Sequence, residues 1–142
     1  MDFNTLFSIS NMLVLPFWLI MIAPWRWAWA VRIIRSPAIA VPPALVYAAV
    51  IVPILAAAGP GLVSAFGSLP GVIGLLSTPA GALVGWVHFL AFDLFVGRWA
   101  YLDALERGVS PWLMAPVLLL IFMFGPLGLL LYLAVRLLTK PK

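Results

Sequence analysis

Long apolar segments constrain this chain more than any other feature of its sequence. The hydrocarbon core of a bilayer is about 30 Å thick, so a helix that crosses it needs roughly 20 apolar residues. Three segments meet this requirement cleanly, and a fourth meets it if its ionisable residues are tolerated. In chain order the four are Thr5 to Ala23, Ala40 to Ala58, Gly81 to Ala100 and Pro111 to Leu138. We predict an all-α polytopic membrane protein with four transmembrane helices in a single domain, residues 1–142.

The scarcity of charge excludes a soluble enzyme of this length. Charged residues make up 8% of the chain, whereas soluble domains carry roughly 25%, so a water-facing surface cannot be covered. The absence of cysteine excludes a disulfide framework and thiolate metal sites. With one histidine and four acidic residues, we predict no dedicated metal site.

The stretch from Gly59 to Pro79 is apolar but interrupted by glycine and proline, which disfavour helix. We interpret it as a re-entrant or interfacial connection, and a fifth short span stays open as the alternative. Basic residues favour the alternative, because five spans divide them more unevenly between the two sides of the membrane. Helix propensity favours four spans, which place both termini on the side opposite the first and third connections.

The basic residues form three small clusters near the ends of the apolar segments. They are Arg26, Arg32 and Arg35, then Arg98 and Arg107, then Arg136, Lys140 and Lys142. We interpret them as anchors for anionic lipid headgroups and predict no binding of nucleic acid. Tryptophans beside the first cluster predict a short interfacial helix after the first span. Asp2 stands where a signal peptide carries positive charge, so we expect the first span to be retained.

The third apolar segment contains the only histidine, His88, together with Asp93 and Arg98. An ionised aspartate at mid-bilayer costs about 2.5 to 3.5 kcal/mol or more, so it needs a partner. On a helix His88 and Asp93 lie ~140° apart, as do Asp93 and Arg98, so neither pair shares a face. We therefore expect the partner of Asp93 to come from another helix. The candidates in the first span are Asn11, then Ser8 and Ser10, while Gly97 would admit a close backbone.

Aromatic residues and helix-breaking residues mark further candidate positions. Trp86, Phe92 and Trp99 would suit a flat apolar ligand such as a polyene, although ordinary helix packing is the commoner reason for such residues. Gly125 precedes Pro126, which should kink the last helix. Asp103 and Arg107 stand at the spacing of a helical ion pair, which we expect at the membrane surface.

The residues just described resemble those of the abscisic-acid-deficient-four-like membrane proteins. The similarity covers most of the chain in order but is weak from Ala38 to Pro79. Its motifs are Asn11 to Trp18 followed by Ala23 and Pro24, His88 to Asp103, and Phe124 to Tyr132. Plant members of this family are required to make neoxanthin from violaxanthin in plastid membranes. The resemblance implies carotenoid or isoprenoid chemistry, here in a bacterial inner or photosynthetic membrane.

If the plant activity applies, the resemblance implies a carotenoid isomerase that opens an epoxide and leaves an allene without a redox cofactor. Our hypothesis assigns His88 as the base, protonated Asp93 as the acid and Arg98 as the electrostatic stabiliser. Asn11, Trp86, Phe92, Trp99 and Gly125 would then bind the substrate. The alternative is a non-enzymatic structural or pigment-binding subunit, either as a homo-oligomer or within a larger membrane complex. An enzyme should have a lateral pocket lined by His88 or Asp93.

Overall fold

Helices account for nearly all of the chain in the computed structural model, which describes residues 2–23, 27–59 and 61–139. The helices are α1 Phe3–Ile22, α2 Ala28–Arg35, α3 Val41–Ala58, α4 Gly61–Ala65, α5 Leu69–Leu76, α6 Pro79–Glu106 and α7 Pro111–Leu138, with a 3₁₀ turn at Pro37–Ala40. By length and composition, α1, α6, α7 and the segment Pro37–Ala57 could each cross a membrane. This confirms the predicted all-α membrane fold. The predicted lipid anchors Arg26, Lys140 and Lys142 lie outside the described residues.

The glycine- and proline-rich connection forms two short helices rather than a crossing. α4 has five residues and α5 has eight, whereas a crossing needs roughly 20. Ser68 begins α5, its hydroxyl accepting a hydrogen bond from the Gly71 N–H at 3.2 Å. The structure therefore favours the connection over a fifth span.

The predicted interfacial helix corresponds to α2, which begins after Trp27. Ala30 and Ile34 are buried against the bundle, while Arg32 and Arg35 are exposed on the opposite face. This division of apolar and cationic faces is typical of a helix that lies in the headgroup region.

The bundle is organised around α6. α1 runs parallel to it: Asn11 accepts a hydrogen bond from the Trp86 indole at 3.3 Å, and the Trp18 ring covers Gly97 further along. A Cβ at Gly97 would lie 2.8 Å from Cζ3 of Trp18. The expectation that Gly97 lets a backbone approach Asp93 is therefore wrong, because a tryptophan ring takes that space.

The last helix does not run straight. Phe124 (φ −139°, ψ 30°) and Gly125 (φ 18°, ψ −84°) have non-helical backbone angles. A straight helix of 28 residues would be about 42 Å long, yet the Arg107 Nη1 donates a hydrogen bond to the Thr139 carbonyl at 2.8 Å. The chain must therefore reverse at Phe124 and Gly125. Residues 111–123 and 126–138 form a re-entrant hairpin of two antiparallel half-helices.

Glycine and proline explain why the reversal occurs here. Pro126 lacks an N–H and clashes with the carbonyl one turn before it, so a helix cannot continue through it without distortion. A Cβ at Gly128 would lie 2.6 Å from the Cα of Ile121, so only glycine lets the half-helices pack backbone to backbone. Non-helical backbone at membrane depth is tolerated where it is buried in protein or lines a cavity.

All basic residues of the described segments lie at one end of the bundle, and the hairpin places Arg136 beside the others. We call this the arginine end, and it contains Arg32, Arg35, Arg98, Arg107 and Arg136. The expectation that the chain finishes on the side opposite the first connection is corrected, because Thr139 lies beside Arg107. Since basic residues favour the cytoplasmic side, we expect the arginine end to face the cytoplasm.

Candidate functional site

The hairpin fills only part of the depth of the bundle. Each half-helix has 13 residues and is about 20 Å long, which is less than the ~30 Å hydrocarbon core. Beyond the tip, a groove of about 790 Å³ stays open between α1 and α6. We call it the tip groove. It is lined by Asn11, Trp18, Trp86, His88, Phe89, Leu90, Phe92, Asp93, Phe122, Met123, Phe124, Gly125, Pro126 and Leu127. Its volume is within the range of small-molecule sites.

Asp93 lies where the hairpin tip meets α6. A Cβ at Gly125 would lie 3.1 Å from the Asp93 carboxyl carbon, so the carboxyl group rests directly against the glycine. Asp93 is half-buried, and no group in residues 2–23, 27–59 or 61–139 hydrogen-bonds its side chain. Its carboxyl group is therefore free to meet a polar group of a ligand in the groove.

The predicted partners of Asp93 in α1 are engaged elsewhere. The Asn11 Nδ2 donates to the Phe7 carbonyl at 2.7 Å, and the Asn11 Oδ1 accepts from Trp86. The Ser10 hydroxyl donates to the Leu6 carbonyl at 2.7 Å. The prediction that α1 supplies a hydrogen-bonding partner to Asp93 is therefore wrong, because these polar groups satisfy local backbone carbonyls first. Asn11 nevertheless lines the groove and fixes the Trp86 ring.

His88 lies among aromatic rings at the rim of the tip groove. Its imidazole stacks on Phe92 with ring centroids 4.6 Å apart, and Tyr47 of α3 lies 5.8 Å away. Although His88 and Asp93 are on different faces of α6, the groove is wide enough to be lined by both. The predicted lateral pocket with His88 and Asp93 in its wall is present.

Arg98 and Trp99 lie away from the groove. The Arg98 Nε donates to the Ile34 carbonyl at 2.8 Å, and its Nη2 donates to the Arg35 carbonyl. Arg98 thus ties the end of α2 to α6, and it does not line the tip groove with His88 and Asp93. The Trp99 ring packs edge-on against Tyr132, with centroids 5.3 Å apart, and Trp99 is not among the residues that line the tip groove.

Several residues that line the tip groove were not among the predicted site residues, and Trp18, Phe122 and Met123 are three of them. Phe122 and Met123 reach the groove only because the chain reverses after them. Trp18 packs on Phe122 with ring centroids 5.1 Å apart, and its buried indole N–H has no hydrogen-bond partner among the described residues. The run from Gly125 to Gly128 was the sequence signal that could have revealed them.

The base of the hairpin holds a second, fully engaged aspartate. The Asp103 Oδ2 accepts hydrogen bonds from the Arg107 Nε at 2.8 Å and the Arg136 Nε at 2.9 Å, and also from the Tyr132 hydroxyl. The predicted pair of Asp103 and Arg107 is confirmed, but it is largely buried rather than a solvated surface pair. These contacts close the open end of the hairpin.

Metal ligands are scarce around the groove. His88 and Asp93 are groove residues of ligating types, but no group of three such residues occurs in the described parts of the chain. The groove offers one carboxyl group, one imidazole and an aromatic lining, which together suit proton transfer to and from an apolar ligand.

One comparison with known proteins gave a match. The family model ABA4-like, described as ABA DEFICIENT 4-like, matches residues 5–132. That range includes α1, the groove residues and the hairpin as far as Tyr132. Comparison with curated proteins and with solved structures gave no match.

Proposed function

Because the chain belongs to the ABA4-like family, we propose that it is a membrane isomerase acting on an epoxidised carotenoid or a related isoprenoid in the tip groove. The observation that carries the proposal is the Asp93 carboxyl group. It faces an apolar, aromatic-lined groove and has no hydrogen-bond partner among the described residues. A polar group without a partner at this depth is costly, which makes it a functional candidate by default.

The proposed reaction needs one acid and one base. Asp93 in its neutral form donates a proton to the epoxide oxygen as the carbon–oxygen bond breaks and a hydroxyl group forms. His88 removes a proton from the neighbouring polyene carbon, and the electron pair left behind completes the allene. The proton then returns from His88 to Asp93, so substrate and product are isomers and no redox partner is needed.

The groove fits such a substrate in two further ways. It lies between helices, so a ligand dissolved in the bilayer can enter sideways. Phe89, Phe92 and Phe124 present exposed rings on which a flat polyene can stack. Arg98 takes no part in the proposed mechanism, because its guanidinium group is bound to carbonyls of α2.

The test replaces Asp93 with asparagine, which keeps the shape and removes the acid. In a carotenoid-producing host that accumulates epoxides, we expect Asp93→Asn to lower product formation by about 10² to 10⁴-fold, the usual contribution of a general acid. Product is measured by chromatography of extracted pigments. The control is Glu106→Gln, which removes a negative charge from the exposed end of the same helix. Undiminished product from Asp93→Asn would exclude the acid role.

A pigment-binding subunit without catalytic activity is the second candidate. The aromatic stack of His88 and Phe92 at the groove rim favours it, because such a stack can hold a polyene without any chemistry. The two functions separate in one experiment on protein purified in mild detergent. A binding subunit would retain pigment and show no conversion in either the native protein or Asp93→Asn, as measured by absorption and by mass spectrometry of extracted lipids.

A further inference from the structure

A second groove lies along an earlier part of α6. It has a volume of about 360 Å³ and is formed by α3, the α4–α5 connection and the first half of α6. We call it the distal groove. Its lining is largely aliphatic and consists of Tyr47, Ile51, Ile54, Leu62, Phe66, Val72, Leu75, Leu76, Thr78, Ala80, Gly81, Val84, Gly85, His88 and Phe89.

The two grooves are neighbours on α6, because His88 and Phe89 line both of them. Along α6 the tip groove reaches Asp93 and the distal groove reaches Thr78. Fifteen residues of helix separate these positions, a distance of about 22 Å. A molecule that occupies both grooves must therefore be long and thin, and must cross α6 beside His88.

The polarity of the two grooves differs along this path. At the tip, the Asp93 carboxyl group is available to a ligand, whereas the Thr78 hydroxyl in the distal groove is already engaged. The Thr78 hydroxyl donates a hydrogen bond to the Leu75 carbonyl at 3.0 Å and accepts one from the Gly81 N–H at 3.0 Å. The distal groove therefore suits an apolar chain, and the tip groove suits its oxygenated end.

We infer that the distal groove binds the far half of the same molecule whose oxygenated end lies at Asp93. This inference rests on the proposed function and adds a length requirement to it. The substrate class is an elongated isoprenoid chain, and a molecule half as long would fill the tip groove alone. The shared lining at His88 and Phe89 argues for one occupant rather than two.

Gly85 provides a way to fill the distal groove alone. It lines that groove and does not line the tip groove. A Cβ there would lie 3.1 Å from Cδ2 of Leu76, the flexible end of a side chain that can move aside. Leucine also favours helix more than glycine does. Gly85→Leu should therefore fold, and its side chain should occupy the space that the isoprenoid chain of the ligand would fill. The matched control is Gly74→Leu, since nothing lies within 4 Å of a Cβ at Gly74.

The experiment measures binding of a full-length epoxy-carotenoid and of a retinoid about half its length to each purified variant. We expect Gly85→Leu to weaken carotenoid binding about tenfold or more through lost apolar contact, and to change retinoid binding by less than about twofold. Gly74→Leu should change neither. Equal carotenoid binding by Gly85→Leu and the native protein would overturn the inference, as would occupation of the distal groove by a co-purified lipid while carotenoid is bound.

This outcome is independent of the test of the proposed function. If Asp93→Asn retains conversion while Gly85→Leu still discriminates by length, the acid role fails and the length requirement stands. If Asp93→Asn abolishes conversion while Gly85→Leu binds the carotenoid normally, the acid role stands and only the inference about the distal groove fails.

Discussion

Asp93 and Asp103 are ten residues apart on the same helix, at the tip and at the base of the re-entrant hairpin. At the base, one oxygen of Asp103 accepts hydrogen bonds from Arg107, Arg136 and Tyr132. At the tip, Asp93 has no hydrogen-bond partner among the described residues and faces a groove. Two side chains of one type on one helix thus have opposite surroundings.

The difference separates a carboxylate that holds chain segments together from one that stays open to a ligand. Charged groups surrounded by donors lose their freedom to react but hold the chain segments together. The base therefore fixes the position of the tip, and the tip leaves one carboxyl group open to a ligand. The following predictions test this division of roles, from the largest expected effect to the smallest.

The largest expected effect concerns the side of the membrane that each helix end faces, because labelling from one side either occurs or does not. The chain has no cysteine, so single cysteines can be introduced and labelled with a membrane-impermeant maleimide. We expect Thr139→Cys and Ser36→Cys to be labelled from the same side and Asn4→Cys from the other. Labelling is compared in intact and permeabilised cells. If Thr139→Cys followed Asn4→Cys, the last helix would cross the membrane and the base of the hairpin would not exist.

Gly128→Ala should cost the most stability among the hairpin variants. Its Cβ would overlap the backbone of Leu120 and Ile121, which cannot move aside, so we expect a loss of about 3 kcal/mol in the free energy of unfolding. In Gly125→Ala the new Cβ would contact the Asp93 side chain instead, and that side chain can rotate away. This variant should lose less than about 1 kcal/mol but disturb binding in the groove. Denaturant unfolding in micelles measures both, and equal losses would argue against backbone packing at Gly128.

The two aspartates give the next prediction. Asp103→Asn removes the charge that three donors share, and we expect it to lower the free energy of unfolding by about 2 kcal/mol. Asp93→Asn breaks no such contact, so its effect should stay within about 0.5 kcal/mol. The same unfolding assay compares them. A larger loss from Asp93→Asn than from Asp103→Asn would reverse the assignment of structural and chemical roles.

The sequence predicted the helical membrane fold and the importance of the third apolar segment. Hydropathy counts apolar residues but contains no information on chain direction, so it does not distinguish a crossing from a hairpin. The glycine and proline residues are densest from Gly59 to Pro79, yet the re-entrant reversal occurs at Phe124 and Gly125. After this reversal Arg136 can return to Asp103, and this pairing stabilises the reversal.

Hydrogen-bond partners that are distant in sequence explain why the surroundings of Arg98 and Asn11 differ from those predicted. The helical wheel placed Arg98 and Asp93 on different faces but could not reveal that Arg98 binds carbonyls at the end of α2. The amide of Asn11 was matched to Asp93 by depth, whereas a carbonyl of its own helix and the Trp86 indole lie closer. Of the aromatic positions that the sequence singled out for a ligand, Trp86 and Phe92 line the tip groove and Trp99 does not.

The smallest expected effect concerns how much each of the two arginines at the base of the hairpin contributes to the free energy of unfolding. The Arg136 side chain is 41% exposed, while the Arg107 side chain is 10% exposed and also binds the Thr139 carbonyl. An exposed ion pair contributes little, so Arg136→Gln should cost about 0.5 kcal/mol and less at high salt. Arg107→Gln should cost more, because it leaves a largely buried carboxylate with one donor fewer and frees the end of the hairpin.

Unfolding of the two variants at low and high salt separates the contributions. Salt should reduce the cost of Arg136→Gln and leave that of Arg107→Gln nearly unchanged, since buried pairs are screened less. If both costs fell together, solvent would reach the whole base, and Asp103 would be a surface carboxylate like many others. The closure of the hairpin would then depend on the backbone packing at Gly128 alone.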